Sequence, residues 1–200
     1  HSNIVPWQML CERTGAKLKV IPMDENGVLQ MDTLENMLSE KTKIVSVNQV
    51  SNALGIINPI DEIIAKTRRQ SDALVVIDGA QSVSHFQIDV QKMDCDFFVF
   101  SGHKMYAPMG TGILYGKESA LNKLMPFHGG GEMIATCSFD KTTYADLPFR
   151  FEAGTPNVSG NIALGASVDF IQSIGHEQII THEKILLKYA QEQLLQIDGL

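Results

Sequence analysis

An amine, an imidazole, a hydroxyl and a carboxylate stand at the ends of two apolar runs in this chain. Ser101, His103 and Lys104 close DFFVFSGHK, and Asp78 closes the β-rich run in ALVVIDGAQ. A charged amine beside a buried strand is costly unless a partner or a covalent bond takes up its charge. Lys104 therefore either escapes to solvent at a strand end or is placed there to be used. The turn APMGTG, 107–112, lacks Walker spacing, and no G-x-G-x-x-G opens a helix, so nucleotide binding is unsupported. The six histidines show no H-E-x-x-H or similar ligand spacing, and no catalytic metal is expected. The remaining set suits pyridoxal phosphate. A lysine amine forms the Schiff base, and a carboxylate keeps the pyridine nitrogen protonated so that the ring accepts electrons. Hydroxyl, imidazole and turn amides can hold the phosphate.

Alternating helices and strands must position these groups. PWQMLCERTG reads as a helix ended by Gly15, followed by a predicted strand, KLKVIPM. MDTLENMLSE carries apolar residues at 31, 34, 37 and 38, a helical stripe with Asp32 or Thr33 near its N-cap. A buried strand KIVSV, a polar turn NQVSNALG and a helix opening at Pro59 follow. TGILYG reads as a further strand and KESALNKLM as a short helix. The stretch 126–160 is loop-rich, and two amphipathic helices span roughly 161–174 and 177–196. Near-continuously apolar strands separated by helices predict an α/β fold, a mainly parallel sheet covered by helices on both faces. Ligands of such sheets bind beyond the carboxyl ends of the strands. Asn52, Asp78 and Lys104 all fall just after strand ends and could face one crevice.

The bulk numbers narrow the partners. With 200 residues, 44% hydrophobic and 20% charged, the chain is long enough to bury a sizeable core. A net charge of −7 with no dense run of Lys or Arg argues against nucleic acid and anionic membranes. No apolar run approaches the roughly 18 residues of a membrane span. Cys11, Cys95 and Cys137 form no C-x-x-C pair, which favours a reducing cytoplasm over a disulfide framework or a zinc site.

Four segments together, VIDGAQSVSH, DFFVFSGHKMYAPMGTGILYG, HGGGEMIA and RFEAGTPNVSG, resemble the class V aminotransferase superfamily of fold-type-I pyridoxal phosphate enzymes. The resemblance is closest to group II, SufS-type, cysteine desulfurases, which include selenocysteine lyase-like members. It covers essentially the whole chain, and the pairing of Asp-Gly-Ala-Gln with Ser-Gly-His-Lys is its most specific part.

The resemblance implies roles by position. Lys104 becomes the cofactor lysine and a proton shuttle at Cα and C4′. Asp78 pairs with the pyridinium nitrogen, and Ala80 packs on the ring face. Gln81 and Asn52 hydrogen-bond the phenolate oxygen, while Ser101 and His103 bind phosphate. Thr155, beside Gly154, reaches the phosphate of a neighbouring subunit, implying a homodimer with composite sites. The family's ring-stacking histidine precedes the residue matching His1, and Ala107 stands where the family usually places glycine. Each residue also has a plainer reading, as solvated strand end, turn amide, cap or core.

The resemblance further implies that residues 1–200 are the large, cofactor-binding domain of a chain about twice as long. An N-terminal segment and a C-terminal small domain would supply a phosphate-binding threonine, a carboxylate-binding arginine and the persulfide-forming cysteine. None of the three cysteines here resembles that nucleophile, so the chain alone is expected to be nearly inactive. The implied reaction converts L-cysteine to L-alanine and passes persulfide sulfur to an acceptor protein for iron–sulfur cluster assembly. Two other readings stay open: another class V enzyme (selenocysteine lyase, aminotransferase or epimerase), or a noncatalytic scaffold domain.

Overall fold

The computed structural model describes residues 1–199. Its centre is a four-stranded sheet in the order β1-β2-β3-β4, formed by Ile44–Asn48, Leu74–Asp78, Phe97–Ser101 and Gly112–Gly116. The first three strands run parallel, and β4 returns antiparallel beside β3. The connections explain the directions. Helix α3, Ile60–Gln70, carries the chain from β1 to β2, and the stretch holding α4, Val90–Met93, carries it from β2 to β3. Between β3 and β4 there is only a 3-10 helix, Gly102–Met105, and a short loop. That is too little for a crossover, so the strand must return beside its predecessor.

Helix α3 shows why the sheet is covered. Ile60, Ile63, Ile64 and Thr67 recur at helical spacing and all are buried, and the three isoleucines join Val45, Val75, Ile77 and Phe98 in one core. From the other end of the chain, Leu164 and Ile171 of α6, Val158–Ile174, enter the same core. The long helix α7, His176–Leu194, buries none of its residues and is tied to the body by a 2.7 Å contact between Glu183 and His85.

Charge pins the amino ends of the strands. The Asp96 carboxylate accepts the Val75 N–H at 2.6 Å and the Arg68 guanidinium at 2.7 Å, and Arg68 also donates to the carbonyl of Ala73 at 2.9 Å. Lys117 pairs with Asp94 in the same cluster. Buried carboxylates are tolerated only when so fully partnered.

The predicted strand KLKVIPM is not one. Those residues follow α1, Val5–Thr14, as extended chain, with an isolated bridge from Met23 to Leu29 the nearest approach to pairing. Leu18 and Val20 are exposed, and β-propensity without a partner strand makes no ladder. Helix α2, Met31–Met37, has Gln30 at its N-cap, placing Asp32 and Thr33 inside the first turn. The stretch read as loop, 126–160, contains a two-stranded hairpin, β5 Ile134–Cys137 and β6 Thr142–Tyr144. Among the described residues no helix is long and apolar enough to cross a membrane.

Candidate active site

Parallel pairing gathers the candidate residues at one edge of the sheet. Asn48 of β1, Asp78 of β2 and Val99 of β3 stand side by side in register, so the carboxyl ends of all three strands point to one edge. Ser101 ends β3 two residues later, and the 3-10 helix bearing His103 and Lys104 follows directly. The chain leaving β1 passes over β2, where the Gln49 N–H donates to the Asp78 carbonyl at 2.9 Å. Asn52 then lies in an exposed turn whose Ala53 and Leu54 N–H groups donate to the Ser51 hydroxyl.

Beyond Asp78 the backbone bends sharply. One carboxylate oxygen, Oδ1, accepts the Ala80 N–H at 2.9 Å, a local Asx turn. The Gly79 N–H donates to the Val99 carbonyl at 2.8 Å, extending the ladder by one bond. Gly79 lies against the buried Phe98 ring, and Ser82, Val83 and Ser84 beyond it are buried. Ala80 and Gln81 are held half-buried at the mouth of this turn.

The turn that carries Lys104 is equally constrained. Gly102 donates to the Thr111 carbonyl at 2.9 Å and accepts the Ala107 N–H at 3.1 Å. Tyr106 caps the 3-10 helix in the left-handed region, with φ of 69°, whereas Ala107 is buried and keeps an ordinary φ. Ala107 is thus accommodated without strain. Lys104 itself is exposed, and every ion pair among the described residues involves other side chains.

Thr155 sits on an exposed loop stitched to two others. The Gly154 N–H donates to the Gly131 carbonyl at 3.0 Å, and Asn157 donates to the Gly110 carbonyl at 3.2 Å. Sequence reasoning singled out Thr155 but not Asn157. Its place just before a helix marks it as a cap, while nothing in the sequence signals its reach to Gly110.

None of the eight residues Asn52, Asp78, Ala80, Gln81, Ser101, His103, Lys104 and Thr155 is buried. Among the described residues, only Asp78 of the polar ones makes a side-chain hydrogen bond, leaving its second oxygen uncommitted. An amine, an imidazole, two hydroxyls, two amides and a carboxylate oxygen are therefore free to engage a polar ligand. That donor set fits an anionic aldehyde such as pyridoxal phosphate. Two shallow depressions lie elsewhere, one of about 400 Å³ along Leu29–Thr33 and one of about 380 Å³ beside Gln49, Ile60 and Met93. Among the described residues no group of three His, Cys, Asp or Glu side chains could hold a metal ion.

The cysteines divide by environment. Cys95 is fully buried, and burial pushes its thiol up to about 11. Cys11 is half-buried in α1, and Cys137 is exposed on β5. His85, which no catalytic role claimed, serves packing by meeting Glu183 of α7.

Comparison with known proteins gives one consistent result. The family model described as "Aminotransferase class-V" matches residues 1–200. A curated cysteine desulfurase of Enterobacter sp. (strain 638) is 52% identical over 201 residues, covering 100% of this chain and 49% of the relative. The crystal structure of the cysteine desulfurase CsdA (S-sulfonic acid) from Escherichia coli superposes with a TM-score of 0.95 at 36% identity, covering 100% of this chain and 50% of that one. A variant of the lyase C-DES, with glycine covalently linked to its PLP cofactor, superposes with a TM-score of 0.79 at 26% identity, covering 89% and 48%. This chain spans about half the length of the curated relatives it matches.

Proposed function

The chain belongs to the aminotransferase class-V family, and from that premise we propose that the protein it forms part of is a pyridoxal phosphate-dependent cysteine desulfurase. Its α/β architecture is the fold-type-I arrangement expected from sequence. The observation that carries the proposal is the register of Asp78 with Val99. It sets the acid of DGAQ next to the strand that ends in the Lys104 turn, in a chain 52% identical along its whole length to a cysteine desulfurase.

Lys104 would hold the cofactor covalently through its amine, and Asp78 would keep the ring nitrogen protonated. Gln81 and Asn52 would donate to the phenolate oxygen, Ser101 and His103 to the phosphate, and Ala80 would lie against the ring. Pyridoxal phosphate, when bound, supplies an electron sink for charge developing at the substrate Cα. Lys104 Nζ, released as a neutral amine when the substrate's amine takes its place on the cofactor, would take the α-proton of L-cysteine and later return a proton, and no carboxylate partner holds it as an ammonium. The thiol that accepts sulfur must be low in pKa and accessible. Cys95 is neither, and Cys11 and the exposed Cys137 stand in sequences unlike that of the family's nucleophile, so we place that thiol, with the substrate-binding arginine, in the remaining half of the protein. Residues 1–200 would form the cofactor-binding domain, and an acceptor protein would take the sulfur onward to iron–sulfur cluster assembly.

The exposure of Thr155, and of the almost fully exposed apolar residues Met109, Phe127 and Phe139, supports contact with a second copy, with Thr155 serving the partner's phosphate. The three unpaired cysteines support a cytoplasmic setting.

The test is to reconstitute the intact protein with pyridoxal phosphate and reduce it with borohydride. Cofactor attached at Lys104, and alanine formed from L-cysteine, are the expected results. Attachment elsewhere, or a loaded protein that leaves L-cysteine unchanged, would refute the reading.

A further inference from the structure

The turn bearing Lys104 is clasped by the first turn of α6. Asn157 Oδ1 accepts the Gly160 N–H at 3.1 Å and so caps the helix, while its Nδ2 donates to the Gly110 carbonyl at 3.2 Å. One helical turn on, the Thr111 hydroxyl donates to Asn161 Oδ1 at 2.7 Å. The Thr111 carbonyl in turn accepts the N–H of Gly102, the first residue of the 3-10 helix, at 2.9 Å. Two glycines make this possible. A β-carbon at Gly160 would fall 2.4 Å from Asn157 Nδ2, and one at Gly102 would fall 2.8 Å from Thr111 Cγ2. Farther along α6, Phe170 meets Tyr106 edge-on, with ring centroids 5.8 Å apart. Tyr106 holds a φ of 69°, which a β-carbon disfavours unless the surroundings impose it.

A short 3-10 helix has poor hydrogen-bond geometry and little rigidity of its own. Among the described residues Lys104 makes no side-chain hydrogen bond or ion pair that would aim it, so its direction depends on this backbone. We propose that Asn157 is a positioning residue. By fastening Gly110 to the start of α6, beside the Thr111 that Asn161 holds, it fixes the 3-10 helix and with it the approach of the Lys104 amine to the cofactor aldehyde. The inference rests on Lys104 being the cofactor lysine, as proposed above.

The test uses the intact protein. Asn157→Asp keeps an oxygen to cap α6 but has no N–H for Gly110. The rate at which pyridoxal phosphate becomes borohydride-trappable at Lys104, followed by mass spectrometry, should fall roughly tenfold, because small misplacements of a reacting group carry such costs. The pH profile of the bound cofactor's visible absorption should shift as well, with the melting temperature nearly unchanged. Asp89→Ala removes the cap of α4, where Asp89 accepts the Gln91 and Lys92 N–H groups, and should leave attachment unaltered. Wild-type attachment and an unmoved pH profile in Asn157→Asp would overturn the proposal, as would an equal loss in Asp89→Ala. If Asn157→Asp does not fold, Asn157→Ser carries the test, since its hydroxyl still caps α6 but is too short to reach the Gly110 carbonyl. Slower attachment supports the proposal and the wild-type rate defeats it. Lys104→Arg keeps the two readings apart. Attachment at the wild-type rate in that variant would sink the lysine assignment, and this proposal with it.

Discussion

Gly79 lies flat against Phe98, so close that a β-carbon on the glycine would fall 2.0 Å from Cζ of the ring. Phe98 is among the largest fully buried side chains and cannot yield without moving the core. Gly79→Ala should therefore destabilise the protein by about 1–3 kcal/mol, the usual cost of an overpacked core. Because Gly79 separates Asp78 from Ala80, the Asx turn would shift with it. Urea denaturation of Gly79→Ala, Phe98→Leu and the double variant checks this. The double variant should recover part of the loss, as expected for residues in contact, and simple additivity would contradict the contact.

Acid stability should depend on Glu35. The hydrogen bond and charge of Lys66 hold its carboxyl below the usual range, and the same bond to Glu35 raises the Lys66 ammonium. A carboxyl lowered in the folded state stabilises above its unfolded pKa, and that contribution is lost as pH falls through the folded value. The raised Lys66 acts in the opposite sense, losing its contribution as pH rises through its folded value. The urea midpoint of the wild type should thus drop more steeply than that of Glu35→Gln between about pH 5 and pH 2. Parallel profiles would show that the pair contributes nothing.

Thiol labelling should rank the cysteines by environment. Cys137 is exposed on β5, Cys11 is half-buried, and Cys95 is buried with its pKa pushed up to about 11. Thiolate, rather than thiol, reacts with iodoacetamide. In the native protein at neutral pH, mass spectrometry should find Cys137 modified first and Cys95 intact until the protein unfolds. Early modification of Cys95 would contradict the packing at the start of β3.

Much of the scaffold is legible in the residues. Strands β1, β2 and β3 are buried on alternate or both faces and read as apolar runs. Helix α3 announces itself by its stripe and by Pro59 at its N-cap. KLKV misleads because its β-propensity has no neighbour to pair with. The β5-β6 hairpin escapes notice because all four residues of β5 are exposed, leaving no alternation of hydrophobicity to read. The candidate site is legible where chemistry sits at strand ends, as at Asp78 and Lys104. It is illegible where a bond spans the chain, as between Asn157 and Gly110, because capping chemistry predicts only the local partner.

The Arg68–Asp96–Lys117 cluster lies at the end of the sheet opposite Asp78 and Lys104. A charged anchor stands at one pole and the candidate site at the other, with hydrophobic strands between them. Substitutions at the candidate-site pole can accumulate without loosening the anchor, which gives such a scaffold room to diversify.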